Sequence, residues 1–237
     1  MIRLEDVSVR FGGVCALDNI SVTFTQPISG IIGPNGAGKT TTMNAISGFL
    51  AYEGRVGWHD EFIDALPPYH RTRWGLRRSF QKEQVADDLS VTDNLRAITD
   101  NLPLSRQQKK AELEKAIESL GLSALANRQA ETLNAFERRL TDLARCIIGN
   151  PKIIMLDEPC GGLQQDETRR LGDLILKIPE LTKAFTLVID HDVDLIARIC
   201  DETLVLDFGR RIAFGKTVSV LADPKVKAAY LGVEEVD

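Results

Sequence analysis

The stretch GPNGAGKTTT, residues 33–42, limits what this chain can fold into more than any other feature. Gly33 to Thr40 match the pattern GxxxxGK[ST]. Glycines at this spacing let successive backbone N–H groups curl around an anion without Cβ clashes. The run ISGII just before it, with Ile28, Ile31 and Ile32, reads as a short apolar strand. From Thr40 onward, TTTMNAISGFL reads as a helix with Met43, Ile46 and Phe49 or Leu50 turned inward. A glycine loop between strand and helix sets the helix's positive end at the anion. Lys39 then serves as the point charge for β- and γ-phosphates, the Thr40 hydroxyl as a ligand for Mg²⁺, and Thr41 as a contact for the α-phosphate. Asn35, Gly36, Ala37 and Gly38 complete the cradle for a nucleoside triphosphate.

Three further features fit such a site. IIMLDEP, residues 153–159, is an apolar strand that delivers Asp157 for Mg²⁺ and Glu158 to polarise an attacking water. Gln81, in RRSFQ, carries a carboxamide able to reach Mg²⁺ and that water. His191 closes the apolar run FTLVID and is placed to contact the γ-phosphate and brace Glu158. Each is ordinary alone: many buried strands end in acidic loops, a single Gln is usually a surface residue, and a single His is usually structural. Their order along the chain carries the information.

Composition narrows the partners. The net charge of −5 argues against a general nucleic-acid binder. The basic cluster Arg71, Arg73, Arg77 and Arg78 reads as a solvated face. Cys15, Cys146, Cys160 and Cys200 form no CxxC, and no histidine stands at metal-ligand spacing to them, so reduced thiols are expected. The opening MIRLEDVSVRF alternates and is charged early, unlike a secretory signal. No apolar stretch approaches the roughly 18 residues that span a bilayer, so any membrane role is expected to run through a partner.

IRLEDVSV (2–9) and Ile20–Phe24 alternate as half-buried strands do. Residues 85–145 turn helical: a helix is expected to start at Thr92 and Asp93, and SRQQKKAELEKAIESLG spaces Leu113, Ile117 and Leu120 along one helix face with Gly121 as a stop. The apolar runs at 153–156, 185–190 and 203–209, separated by helix-length segments, imply a parallel sheet covered on both faces. The expected fold class is α/β: a nucleotide-binding core, residues 1–84 and 146–237, with N-terminal antiparallel β strands and an inserted helical subdomain, 85–145. The tail YLGVEEVD is expected to fray.

In this order of elements the chain resembles, over almost its whole length, the ATP-binding subunits of ABC transporters, which are P-loop NTPases. LEDVSVRFGGVCALDNIS and IAFGKTVSVLADPKVKAAYLG are similar to the branched-chain amino acid and urea (amide-type) importer subgroup. The resemblance implies that ATP and Mg²⁺ are bound, that Phe11 stacks on adenine, that Gln81 is the Q-loop glutamine, Glu158 the catalytic base and His191 the switch histidine. It implies a peripheral place on the cytoplasmic face of the membrane, docked on embedded permease subunits whose helix enters a groove beside Gln81, and an indirect link to a substrate-binding protein.

Family members dimerise head to tail, and each ATP is completed by the other subunit's LSGGQ signature. Here those positions read Leu133-Asn134-Ala135-Phe136-Glu137. Asn134 can still cap a helix. A Phe136 benzyl group where glycine allows close approach is expected to hold the phosphate off, and a lost preorganised donor costs ~2.7–4 kcal/mol. Gln164 stands where the family usually has an aspartate that couples the two sites. Since the chain keeps what its own ATP needs, the expected partner is a second, different ATPase subunit. A regulatory subunit without hydrolysis, or a soluble ABC-type ATPase of nucleic-acid maintenance or translation, are the alternatives.

Overall fold

A computed structural model describes residues 1–231 of the chain. In order the elements are β1 (Ile2–Phe11), β2 (Val14–Phe24), β3 (Ile28–Ile32), α1 (Lys39–Ser47), β4 (Glu53–Trp58), β5 (Glu61–Phe62), α2 (Pro68–Trp74), β6 (Leu76–Arg78), α3 (Val91–Asp100), α4 (Arg106–Ser119), α5 (Ala135–Ile147), β7 (Ile153–Asp157), α6 (Gln165–Thr182), β8 (Phe185–Ile189), α7 (Val193–Ile199), β9 (Glu202–Asp207), β10 (Arg210–Lys216), α8 (Thr217–Ala222) and α9 (Pro224–Leu231). Of the tail YLGVEEVD, the first two residues end α9 and the rest lie outside the described residues. The chain forms two compact units, one of residues 1–72 with the described residues from Phe185 on, the other of residues 73–184.

The first unit holds an antiparallel sheet in the order β2-β1-β4-β5. Its first hairpin is longer than the alternation alone suggests, because Gly12 and Gly13 form a two-residue turn that carries the pairing out to Phe11 opposite Val14. Beside it β3 lies between β8 and β9, parallel to both, with β10 antiparallel along β9. All five residues of β3 and of β8 are buried, as expected for strands covered on both faces. The second unit pairs β6 with β7 in parallel, Leu76 opposite Ile153, and carries α3 to α6. Ser90 starts α3 by accepting from the Asp93 N–H, and Ser105 with Gln108 forms a capping box on α4. Gly121, at φ 68°, follows the end of α4 as a stop.

Two expectations are corrected. Helix α1 stops at Ser47, because Gly48 takes a left-handed φ of 77° and its N–H turns back to the Ala45 carbonyl. Phe49 therefore lies beyond the helix and is 55% exposed, not inward. Of the arginine cluster only Arg73 is exposed as a solvated residue: Arg71 and Arg77 are buried, and so is the Arg78 side chain. Arg71 donates from Nη1 to the carbonyls of Ala45 (2.9 Å) and Ile46 (2.7 Å), from Nε to Leu66 O (2.8 Å), and from Nη2 to the Tyr52 hydroxyl (3.2 Å). A planar fork of five donors can satisfy the orphan carbonyls at the C-terminus of α1 and still be buried, and only a guanidinium has that geometry. Tyr52 in turn donates to Asp64 Oδ1 at 2.6 Å; burial first, then this bond, pushes its hydroxyl pKa up to about 12.

Removing the fork leaves several buried acceptors without a donor, at about 1–3 kcal/mol each where water cannot enter. Arg71→Ala is expected to lower the unfolding free energy by roughly 3 kcal/mol. Arg71→Lys should recover less than half of that, read as urea midpoints at unchanged m-value.

Candidate functional site

The glycine loop is built for an anion. Gly38, the N-cap of α1, sits at φ 103°, and a Cβ there would come within 2.7 Å of Leu17 Cδ2 and 2.8 Å of Ala16 O, so only glycine fits. No side chain caps α1, the setting in which a helix start receives an outside anion. The Lys39 ammonium, almost fully buried, donates to Gly33 O (2.7 Å) and Pro34 O (3.0 Å) and thereby braces the loop from within. Asn35, Gly36 and Thr40 are exposed, Thr41 is half-buried, and Ala37 is buried with its carbonyl accepting from Gly209 N–H at 3.0 Å. Phe11 ends β1 at the hairpin turn with half its surface in solvent. His191 follows β8 and is exposed, its Nδ1 3.6 Å from Oδ1 of the buried Asp190, while Asp192 caps α7 by accepting from Leu195 N–H.

The second unit presents the carboxylates. Asp157, the last residue of β7, is buried and paired with Arg78 (Nη2 to Oδ2 2.9 Å). Its N–H donates to Ser79 Oγ at 3.2 Å. Glu158 follows with φ 48°, a left-handed backbone that is unusual for a non-glycine residue and doubly so before Pro159. The Gln81 carboxamide donates from Nε2 to Glu158 Oε2 at 2.9 Å. One short segment, 78–81, thus holds both acidic residues: Arg78 and Ser79 fix Asp157, and Gln81 holds Glu158. Of the sequence-predicted residues, the structure brings together Gln81 with Glu158, and Asn134 with Glu137.

Asn134 caps α5 as expected. Its Oδ1 accepts from Glu137 N–H (2.8 Å), and Glu137 Oε2 accepts from Asn134 N–H (3.0 Å), a complete capping box. Arg128 Nη1 stands 3.3 Å from Glu137 Oε1. Phe136 departs from the expectation of a benzyl group standing against a phosphate. Only 5% of it is exposed, and the Arg170 guanidinium lies 4.7 Å from its ring centroid. It belongs to the apolar face of α5 with Leu140 and Leu143, so the second helical position turns its side chain inward and leaves Ala135 outside. What distinguishes this helix start is its resident carboxylate, which occupies the positive helix end and the Asn134 amide.

The sequence model of the ABC transporter family matches residues 17–161. The chain is 32% identical to the high-affinity branched-chain amino acid transport ATP-binding protein LivG of Escherichia coli K12 and 34% identical to BraF of Pseudomonas aeruginosa, each alignment covering 98% of both chains. This chain belongs to the ABC transporter family. The crystal structure of the ADP conformation of MJ1267, an ATP-binding cassette of an ABC transporter, superposes with a TM-score of 0.84 at 31% identity, over 98% of this chain and 99% of that one. As an ABC ATPase the chain uses ATP with Mg²⁺, hydrolyses it in the service of transport, and works with membrane permease components. The uncapped start of α1 suits phosphates, and a hydroxyl, a carboxylate and a carboxamide oxygen, as in Thr40, Asp157 and Gln81, are each of the hard donor type that Mg²⁺ accepts. Among the described residues no helix is long and apolar enough to cross a membrane.

Sequence reading missed Arg78, Ser79 and Arg139. The signal for Arg78 was present: an arginine in a strand that ends next to a glutamine of interest, but pooled there with its neighbours as surface charge. Arg139 sits on the polar-looking start of an amphipathic helix, and nothing local says that it turns inward.

Asp142 is a further buried acid on α5, with Arg145 Nη1 3.1 Å from Oδ1. Burial lifts its pKa to about 6 against the pull of Arg145 and Arg139, with Glu83 adding to the rise. A carboxyl whose pKa is raised by folding favours the native state below its unfolded pKa, and that contribution is lost as pH rises through the folded value. Asp142→Asn lacks this titration. Its stability relative to wild type is expected to improve by up to about 3 kcal/mol between pH 4 and pH 7. Denaturant titrations at both pH values check the sign; an equal gap at the two pH values contradicts it.

Proposed function

We propose that this chain is the ATP-hydrolysing subunit of an importer for branched-chain amino acids, urea or related small amides. It lies peripherally on the cytoplasmic face of the membrane and pairs with a second, different ATPase subunit. The likeness to LivG and BraF across both full lengths supports the substrate class. The observation that carries the catalytic reading is Glu158, offered on a left-handed backbone and held by Gln81.

In this reading the amides of residues 35–41 and the Lys39 ammonium take the triphosphate, and Phe11 stacks on the adenine. Mg²⁺, when bound, neutralises charge on the β- and γ-phosphates, and Thr40, Asp157 and Gln81 are the residues to hold it. Arg78 fixes Asp157 in orientation through their 2.9 Å ion pair. Glu158 accepts the proton of the attacking water, Gln81 orients carboxylate and water, and His191 meets the γ-phosphate. The pairing with a different subunit rests on α5. Its Asn134 and Glu137 amides are already bonded within the chain, and Glu137 sets a carboxylate beside Ala135 and Phe136, the amides left to meet a partner's ATP. The partner's signature therefore completes this chain's ATP, and the ATP covered by this chain turns over slowly.

Glu158→Gln is expected to keep ATP affinity while turnover drops by at least about 10²-fold, the usual contribution of a general base. Wild-type chain alone should be a weak ATPase, stimulated when the second ATPase and the permease are added. Vigorous turnover by the isolated chain contradicts the mixed pairing. Uptake of labelled leucine against labelled urea by the reconstituted assembly decides the substrate.

A further inference from the structure

Helix α5 is tied to the catalytic carboxylates by one buried side chain. Arg139 lies just beyond Glu137 on that helix and is 8% exposed. Its Nη2 donates to Gln81 O (3.0 Å) and Gly161 O (3.4 Å), its Nη1 to Phe80 O (3.4 Å), and its Nε stands 3.0 Å from Glu83 Oε1. Two turns along, Arg145 donates to Gln84 O. The backbone of residues 80–84 is therefore fastened to α5 from one side. The Gln81 side chain reaches Glu158 on the other, and Gly161 belongs to the loop that leaves Glu158.

We propose that Arg139 is a positioning residue: it fixes the Gln81 carboxamide, and through it the Glu158 carboxylate, to the axis of α5, so that hydrolysis by this subunit depends on where its signature helix lies. This rests on the roles given above to Gln81 and Glu158. The chemistry favours a guanidinium. Three carbonyls and a carboxylate lie around one planar group, and a fork of fixed donors can hold them in one arrangement where a rotating ammonium cannot. Breaking it leaves carbonyls of two loops without their shared donor and frees the 80–84 backbone to shift, while no atom of the glycine loop is bonded to Arg139. The cost should fall on turnover and not on ATP affinity.

The test is a double-mutant cycle in the full assembly with the second ATPase and permease. Arg139→Ala is expected to lower kcat about tenfold, within the ~10²-fold that a 1 Å misplacement can cost, with KM for ATP and the Kd of a fluorescent ATP analogue unchanged. In a Gln81→Ala background the same change should cost less than about twofold, since it acts through a side chain no longer present. Hydrogen exchange of residues 80–84 should quicken while that of residues 33–42 does not. Arg139→Lys, which keeps charge and most of the volume, should behave like Arg139→Ala in the cycle and stands in for it if the alanine variant fails to fold. Arg138→Ala, removing the neighbouring arginine that pairs with Asp87, should leave turnover unchanged. Equal cost of Arg139→Ala in both backgrounds, or a loss confined to KM, sinks this inference alone. Wild-type turnover in Gln81→Ala and Glu158→Gln sinks the catalytic reading beneath it.

Discussion

Every α-helix begins with backbone N–H groups that have no partner inside the helix. How α1 and α5 meet that demand is the constraint on which the functional reading depends. Helix α1 has no side-chain cap: Gly38 has no side chain to lend, its first turn holds no acidic residue, and the Lys39 ammonium adds to the helix's positive end. Helix α5 meets it in part from within, with Asn134 and Glu137 exchanging hydrogen bonds in a closed box. The first arrangement calls for an anion from outside. The second is already supplied with one from within, and its donors for another chain's phosphate are fewer. The two helices thus differ in whether an acid of the chain already sits at their start, and that difference underlies the proposed asymmetry more firmly than the bulk of Phe136, which is buried.

At the opposite ends of the same problem stand the arginines. A chain with a net charge of −5 buries the guanidinium groups of Arg71, Arg78 and Arg139, and each is matched to carbonyls or a carboxylate within its own unit. Arg71 closes the C-terminus of α1, so the helix that leaves its N-terminus open is secured at its other end. Arg78 holds Asp157, and Arg139 holds the backbone of the Gln81 segment. A buried charge left without such partners costs several kcal/mol. Each of these sites is consequently fixed in geometry, a useful property beside groups whose orientation decides a reaction.

Much of this was legible in the residues themselves. The glycine loop, the strand before it, the apolar strand ending in Asp157 and Glu158, and the capping role of Asn134 follow from local rules: φ freedom, period-two and fully apolar runs, and the reach of a short polar side chain. Phe49 and Leu50 continue the apolar rhythm of α1 in sequence, whereas Gly48 and the Arg71 fork end the helix at Ser47. Arg71, Arg77 and Arg78 resemble surface charge in sequence because nothing in a one-dimensional pattern shows which carbonyls or carboxylate will lie across from them.

The sequence by itself determined that residues 33–38 are a glycine loop between a strand and a helix, that the apolar runs 28–32, 153–157 and 185–189 are buried strands of a parallel sheet, and that its signature departs from LSGGQ. These are decided by local sterics and periodicity, which operate over a few residues. Only the tertiary structure decided where Phe136 turns, that Gln81 grips Glu158, that Arg78 grips Asp157, and that Arg139 ties the signature helix to the Gln81 loop. Those pairings join residues tens of positions apart, and a hydrogen bond depends on separation in space, which packing sets and spacing along the chain does not.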